Sequence, residues 1–385
     1  MINEHKNIPE LRFPEFDGEW EGKKLGDIVQ VNSGKDYKHL EPGDYPVYGT
    51  GGHMLNVSDY LSSYDSIGIG RKGTINKPYL LKAPFWTVDT LFYCTPQKNN
   101  DTYFILNLFK NINWKKYDES TGVPSLSKVT INKIIKNIPN YKEQQKIGEF
   151  FSKLDHQIEL EEEKLELLEQ QKRGYMQKLF SQELRFKDKN GNQYPESKEY
   201  KLSEVGIFNS GIGFPENLQG GMEGVPFFKV SDMNNKGNEI VMRKSNNYVS
   251  DEIIDSKKWK IITTVPAMIF AKVGAAIMLN RKRLVLEPFL IDNNTMSYSF
   301  SNEWNTSFGR VLFQTIYLPK YAQVGALPSY NAKDIGTIKV KLPTKQEQEK
   351  IGTFFDKIDN LIELQTNKIA LLKQRKKGLL QKMFI

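Results

Sequence analysis

The stretch best suited to chemistry is Gly68-Ile69-Gly70-Arg71-Lys72-Gly73, a literal G-x-G-x-x-G with Asp89 downstream. A dinucleotide site needs the last glycine to open a helix whose N-terminus holds the pyrophosphate. Here Thr74-Ile75-Asn76-Lys77-Pro78 follows, and β-branched residues with a proline prevent a helix from starting. A glycine-bounded strand and turn is predicted instead of a cofactor site. Glu21-Gly22-Lys23 has the E-x-K form of nuclease sites but lacks a Pro-Asp partner upstream. No Walker A segment, H-E-x-x-H or Pro-Pro pair is present, so the Asn/Asp-Pro-Pro-aromatic motif of amino-methyltransferases is missing too. The four histidines (5, 39, 53 and 156) are scattered, which predicts no metal site. Cys94 stands alone, excludes an internal disulfide, and reads as a buried strand residue. No residue is assigned a catalytic role.

A second set of residues suits contact with a polyanion. Ser33-Gly34-Lys35 and Ser210-Gly211 each close a strand-like run, where small residues would let backbone approach a phosphate. Arg71 and Lys72 lie beside Gly73, and Lys272 lies beside Gly274 at the equivalent point of an internal repeat. Arg281-Lys282-Arg283 is the densest basic cluster outside the long helices. Arginine suits bidentate contact with guanine, lysine suits phosphates, and asparagine or glutamine suits adenine. Taken singly, each reads as a solvated surface charge; the set carries the argument.

The elements that must position these residues are duplicated. The segment from Glu143, EQQKIGEFFSKLDHQIEL, recurs 204 residues later as EQEKIGTFFDKIDNLIEL from Glu347, and 21 of 38 aligned positions are identical through Phe180 and Phe384. Pro139 matches Pro343, and Pro124-Ser125 matches Pro328-Ser329. Leu11-Arg12-Phe13 recurs as Leu184-Arg185-Phe186, and Asn32-Ser33-Gly34 as Asn209-Ser210-Gly211. The chain thus divides into a variable domain (1–142), a constant helix (143–180), a second variable domain (181–346) and a second constant helix (347–385).

Both constant segments carry apolar residues at 4-3-4-3 spacing. The first has Ile147, Phe151, Leu154, Ile158, Leu165 and Leu168, and the second Ile351, Phe355, Ile358, Ile362, Ile369 and Leu372. Glu161 and Lys172 fill two gaps in the first stripe, and Gln365 and Lys376 the same gaps in the second. That 3.5-residue period over roughly 57 Å predicts a coiled-coil seam. A single such helix would ordinarily be read as packing on a globular core. Length and charge favour the coiled coil: residues 143–180 carry six Lys/Arg and nine Asp/Glu, residues 347–384 eight and five. Opposite charges suit pairing with each other.

The variable domains read as short strands and loops: Ile28–Val31, Tyr45–Tyr48, Ser66–Ile69 and Leu91–Tyr93, then Val225–Val230, Glu239–Met242, Met268–Ala271 and Ala276–Leu279. Helices are predicted at Thr102–Lys110 and Glu303–Leu318. The fold class is α+β, with two β-rich domains each followed by a long helix. Of the net charge of +8, residues 1–142 carry 18 basic and 16 acidic groups, and 181–346 carry 22 and 16. The excess sits on the variable domains, mostly the second. Absence of a 20-residue apolar run or a signal-peptide h-region predicts a soluble, cytoplasmic protein with no membrane partner.

In its order of parts and in the phrases PELRFPEFDGEW from Pro9, EQQKIG with EQEKIG, and KRGYMQKLF from Lys172, the chain resembles the specificity (S, HsdS) subunits of type I restriction–modification systems. The resemblance covers the whole chain. It implies two target-recognition domains reading the halves of a bipartite, asymmetric double-stranded DNA sequence, with the helices paired antiparallel as a spacer. It implies partners: two modification subunits methylating adenine at N6 with S-adenosylmethionine, and two restriction subunits using ATP and Mg for translocation and cleavage, with no cofactor on this chain. By position it places recognition loops at Ser33–Lys38, Arg71–Lys77 and Ser120–Ser125, and at Ser210–Gly213, Lys272–Gly274 and Gln323–Ser329. Lys38, Thr74, Lys77, Thr121, Ser125, Gln323 and Ser329 thereby join the candidate DNA contacts. Two other readings stay open at this level: a self-sufficient DNA-modifying enzyme whose catalytic motif is unrecognised, and a structural coiled-coil protein without DNA contact.

Overall fold

The computed structural model describes residues 7–323 and 327–385; His5, and residues 324–326 of the Gln323–Ser329 stretch, lie outside the described residues. The chain forms two units, one from residues up to Lys164 together with Gln365–Ile385, the other from Leu165–Leu364. The division passes through the middle of both long helices.

In chain order the first unit contains β1 (Glu21–Lys24), α1 (Leu25–Ile28), β2 (Val29–Ser33), β3 (Tyr45–Gly49), β4 (Gly52–Val57), β5 (Ser66–Gly70), β6 (Tyr79–Leu81), β7 (Trp86–Thr87), β8 (Leu91–Pro96), α2 (Thr102–Asn111), α3 (Lys128–Lys133), β9 (Ile135–Ile138) and the start of α4 (Tyr141–Phe180). The second contains β10 (Lys198–Lys201), β11 (Gly206–Ser210), β12 (Val225–Phe228), β13 (Tyr248–Val249), α5 (Asp251–Lys257), β14 (Ala267–Ala271), β15 (Lys282–Val285), β16 (Leu290–Ile291), β17 (Thr295–Phe300), α6 (Thr306–Thr315), α7 (Ala332–Gly336), β18 (Lys339–Leu342) and the start of α8 (Lys345–Met383).

Each unit repeats one topology. An antiparallel four-stranded sheet has the order β2-β8-β5-β6 in the first and β11-β17-β14-β15 in the second. Three-stranded sheets β4-β3-β7 and β13-β12-β16 each contain one parallel pair. A two-stranded ribbon, β1-β9 or β10-β18, leads into each long helix. Two strand expectations fail. Ala276–Leu279 is a 3-10 turn set between Gly274 at φ 79° and Asn280 at φ 49°, left-handed ends that stop an extended run. Glu239–Met242 forms no strand and makes one bridge, Val241 to Leu284. The Ile28–Val31 strand starts one residue later, because Leu25–Ile28 turns as a short helix.

The repeated motif E-Q-x-K-I-G docks each domain on its helix. Glu143 is fully buried and takes two bonds from Arg12, Nε to Oε1 at 2.7 Å and Nη2 to Oε2 at 2.7 Å, with Trp20 Nε1 donating at 3.2 Å. Glu347 takes the same pair from Arg185 at 3.1 and 2.6 Å. Gln144 accepts from the Asp101 amide (3.1 Å) and donates to the Pro139 carbonyl (3.0 Å), while Gln348 accepts from the Asn305 amide (2.8 Å) and donates to Pro343 (3.0 Å). Asp101 and Asn305 are the N-caps of α2 and α6, holding Phe104 N and Phe308 N. At Gly148 an added Cβ would stand 2.1 Å from Asp101 Oδ1, and at Gly352 2.8 Å from Asn305 Oδ1, so only glycine lets the capped helix end seat there.

The apolar stripe serves two purposes. Its early members pack into the domain cores: Ile147 and Phe151 with Trp20 and Phe104 in the first unit, Ile351 and Phe355 with Phe308 and Tyr298 in the second. The far end of the other helix completes each core. Phe384 stacks on Phe104 at 5.3 Å, and its repeat equivalent Phe180 stacks on Phe355 at 6.2 Å. Core packing and helix pairing are therefore both correct readings of one stripe.

The helices pair antiparallel, and the polar gaps carry the register. In the first unit Asp155 meets Lys376 and Lys110, and Glu161 accepts from Gln365 (2.7 Å) and Lys368. Lys368 and Gln365 hold the Glu161 carboxyl below the usual carboxylate range. In the second unit Lys172 meets Asp359 at 2.7 Å, and buried Arg310 of α6 reaches Asp359 (2.8 Å) and Asp356 (2.9 Å). Polar residues at seam positions select one register, since a slip would bury charges without partners.

Removing one side of the buried pair leaves an uncompensated charge, so Glu143→Ala should cost about 3 kcal/mol. Urea unfolding of the full chain should show the loss in the first unit's transition, with the second unit's unchanged.

Candidate nucleic-acid interface

In each unit the candidate loops converge on one segment. In the first it is Thr87–Leu91. Gly34 N donates to Leu91 O (3.1 Å), Lys35 N to Thr87 O (2.8 Å), and Arg71 N to Thr90 O (2.8 Å). Gly73 N then donates to Pro124 O (2.8 Å), and Lys72 bridges Ser125, which joins the third loop. In the second unit the segment is Asp292–Thr295. Gly211 N donates to Thr295 O (3.3 Å), Lys272 N to Asn294 O (2.9 Å), Gly274 N to Pro328 O (2.8 Å), and Val273 bridges Ser329. The three loops of each domain thus share one end of its four-stranded sheet.

Around this convergence Lys35, Lys38, Arg71, Lys72, Lys77 and Thr121 are exposed in the first unit, with Ser33, Thr74 and Ser125 half-buried. Arg71 lies 5.8 Å over the Phe92 ring and donates to the Asp89 carbonyl at 3.4 Å, which orients it without neutralising it. Asp118 shapes the third loop: its carboxylate accepts from Ser125 N (2.9 Å), Ser120 N (3.0 Å) and Ser120 Oγ (2.8 Å), which hold it below the usual range. In the second unit Ser210, Arg281 and Gln323 are exposed, Lys272 and Ser329 half-buried.

Three expectations need correction. Gly34 and Gly211 are not open to a phosphate. A Cβ at Gly34 would stand 2.0 Å from Val88 O, and at Gly211 1.8 Å from Asp292 O, so each glycine admits a carbonyl of the segment on which the loops converge. Lys282 is no surface cation. It is 5% exposed on β15, its ammonium donates to Ile316 O at 2.6 Å, and burial pushes it down to about 7. Arg283 shares that strand and is half-buried, so the triad is not a loop cluster. Sequence reading missed the pivots Thr87–Leu91 and Asp292–Thr295, whose contribution is mostly backbone; the Asp/Asn/Thr content of the second was its only signal.

Gly68 and Gly70 sit in β5, and a turn with Gly73 at φ 91° follows, not a helix. Cys94 is buried in β8, and burial pushes its thiol up to about 12. Among the described residues, no group of three or more His, Cys, Asp or Glu is arranged to hold a metal, and no helix is long and apolar enough to cross a membrane.

This doubled arrangement has counterparts. The family model described as "Type I restriction modification DNA specificity domain" matches twice, over residues 17–170 and 195–374. The chain belongs to that family. Each match takes in one recognition domain and most of the helix after it, the unit of duplication seen in the sequence. The chain is similar to the type I restriction enzyme MjaVIII specificity subunit of Methanocaldococcus jannaschii, 24% identical over 97% of this chain and 93% of that one. Its fold matches the type I restriction–modification S subunit from M. genitalium (TM-score 0.64, 16% identity, covering 98% and 99% of the two chains). A structure from work on complex assembly and conformational transition of the type I restriction–modification system matches with TM-score 0.57 and 14% identity, covering 96% and 98%. The chain is thus a type I specificity subunit, a non-catalytic component that works with DNA and the other restriction–modification subunits.

Lys35→Ala with Arg71→Ala should leave the fold intact and weaken DNA binding, whereas Gly34→Ala should lower thermal stability. Melting curves beside DNA titrations of the assembled complex separate the two effects.

Proposed function

We propose that the two units read the two halves of a bipartite, asymmetric duplex sequence, and that the paired helices space them and hold two modification subunits. Those subunits would bind S-adenosylmethionine and methylate adenine at N6; two restriction subunits would add ATP- and Mg-dependent translocation and cleavage. This chain would act in the cytoplasm without a cofactor of its own. The observation that carries the reading is the doubled convergence of loops, built on one topology but lined by different side chains, as two readers of different half-sites require.

Purified chain plus its modification subunits should transfer labelled methyl groups to adenine within one bipartite sequence; chain alone should transfer none. Methyl transfer by the chain alone would favour the self-sufficient enzyme.

Two copies of the modification subunit are supported by residues the fold leaves unused. Gly174 and Gly378 lie inside α4 and α8, the first exposed and the second half-buried, and a Cβ at either would meet nothing within 4 Å. A helix-interior glycine costs roughly 1 kcal/mol relative to alanine, yet both repeats keep it. Leu160 and Leu167, with equivalents Leu364 and Leu371, are each at least 50% exposed and stand two heptads and one heptad before those glycines. Leucines at heptad spacing ending on a glycine suit a partner helix that approaches closely, once per repeat. Gly174→Leu should remove one modification subunit and Gly174→Leu with Gly378→Leu both, with melting temperature unchanged or raised. Native mass spectrometry of the complex reads the stoichiometry.

A further inference from the structure

The two units differ most between corresponding strands of their three-stranded sheets. In the first, β3 and β4 are joined by the two residues Thr50 and Gly51; in the second, residues 229–247 separate β12 from β13. A connection that long in a compact domain is ordinarily functional or disordered, and this one is tied down. Buried Asp232 accepts from the amides of Lys229 (2.8 Å) and Asn246 (3.2 Å). Buried Asn238 accepts from the amides of Arg243 (2.8 Å) and Lys244 (3.2 Å), and donates to the carbonyls of Asp232 (2.8 Å) and Lys244 (2.7 Å). Ser245 Oγ donates to Phe227 O at 2.7 Å. The loop's inward polar groups are spent on its own shape.

Its outward face is basic. Lys236, Arg243 and Lys244 are exposed, and exposed Arg281 donates to Asn234 of the same loop. The exposed carboxylate, Glu239, accepts from Gly237 N at 2.9 and 3.1 Å. Arg283 is half-buried beside Arg281; its Nη1 donates to the Lys282 carbonyl (3.0 Å), and its buried Nε has no partner among the described residues. Burial and then neighbouring Arg281 disfavour the Arg283 cation, and Glu239 offsets them only in part, so a further anion would be favoured there. The β15 pairing sets Lys282 opposite Phe270, so Arg281 lies at the sheet end where Lys272 and Thr295 stand.

We propose that the 229–247 insertion, with Arg281 and Arg283, is a preorganised phosphate-binding element found in the second unit alone, gripping the sugar–phosphate backbone of duplex DNA beside that unit's half-site. The inference rests on the DNA-reading function proposed above and adds to it a division of labour. The second unit supplies sequence-independent grip that the first lacks.

The test uses the full chain assembled with its modification subunits. It compares wild type with Lys236→Ala/Arg243→Ala/Lys244→Ala/Arg281→Ala, titrating target and scrambled duplexes across about 50–300 mM salt. Each lost phosphate contact lowers the slope of log affinity against log salt by about 0.9, so losing four should lower it by about 3.6, equally for both duplexes, with the methylated sequence unchanged. Arg243→Lys/Arg281→Lys should retain the wild-type slope. An unchanged slope in the alanine variant, beside salt-dependent binding by wild type, overturns the insertion's role and leaves the DNA reading standing. Loss of modification subunits from the variant overturns it in favour of a protein contact, and failure of wild type to bind DNA overturns both.

Discussion

A carboxylate sealed at the first turn of each long helix organises what surrounds it. Glu143 and Glu347 are buried, and burying a charge alone would be prohibitive. Each is made tolerable by an arginine from far away in sequence, Arg12 or Arg185, through a two-pronged bond. The arginine draws the Leu-Arg-Phe segment over the helix start, and the neighbouring glutamine bonds the capped end of α2 or α6. Such pairs contribute little net stability over apolar replacements, but they penalise any arrangement that parts them. What they provide is orientation of a β-rich domain on a helix.

The same constraint explains why the helices stayed alike while the domains diverged. Identities such as Glu143, Gln144, Ile147 and Gly148 face inward and hold a domain, whatever its loops. Other identities, among them Leu160, Leu167 and Gly174, face outward and have no work inside the chain. One helix therefore carries two stripes under separate restraint, and both are independent of the DNA sequence read.

Much of this was legible in the sequence, for reasons that also mark the limits. The 204-residue repeat and the 3.5-residue spacing revealed the helices, because periodicity survives without knowledge of partners. The polar gaps at Glu161 and Lys172 were visible, but not that Gln365 and Asp359 face them, since antiparallel register depends on the other helix. Loop positions followed from glycines and basic residues; the glycines' role did not, because a close carbonyl from a segment distant in sequence leaves no local trace. Lys282 was misread because three basic residues in a row carry no sign of which one a sheet turns inward. The 229–247 insertion was hidden by the very divergence that ended the alignment.

Phe384 and Met383 lie in the first unit's core, against Trp20 and Phe104. That core is thus assembled from both extremes of the described chain, with residues 165–364 intervening. At about 5–20 residues per second, a ribosome takes roughly 10–40 s to make those 200 residues. Throughout that interval the first domain is an unfinished body with an open apolar seat where Phe384 belongs. The order of synthesis therefore makes the second domain the first to have all its parts, and leaves the last turn of α8 to complete the first domain's core.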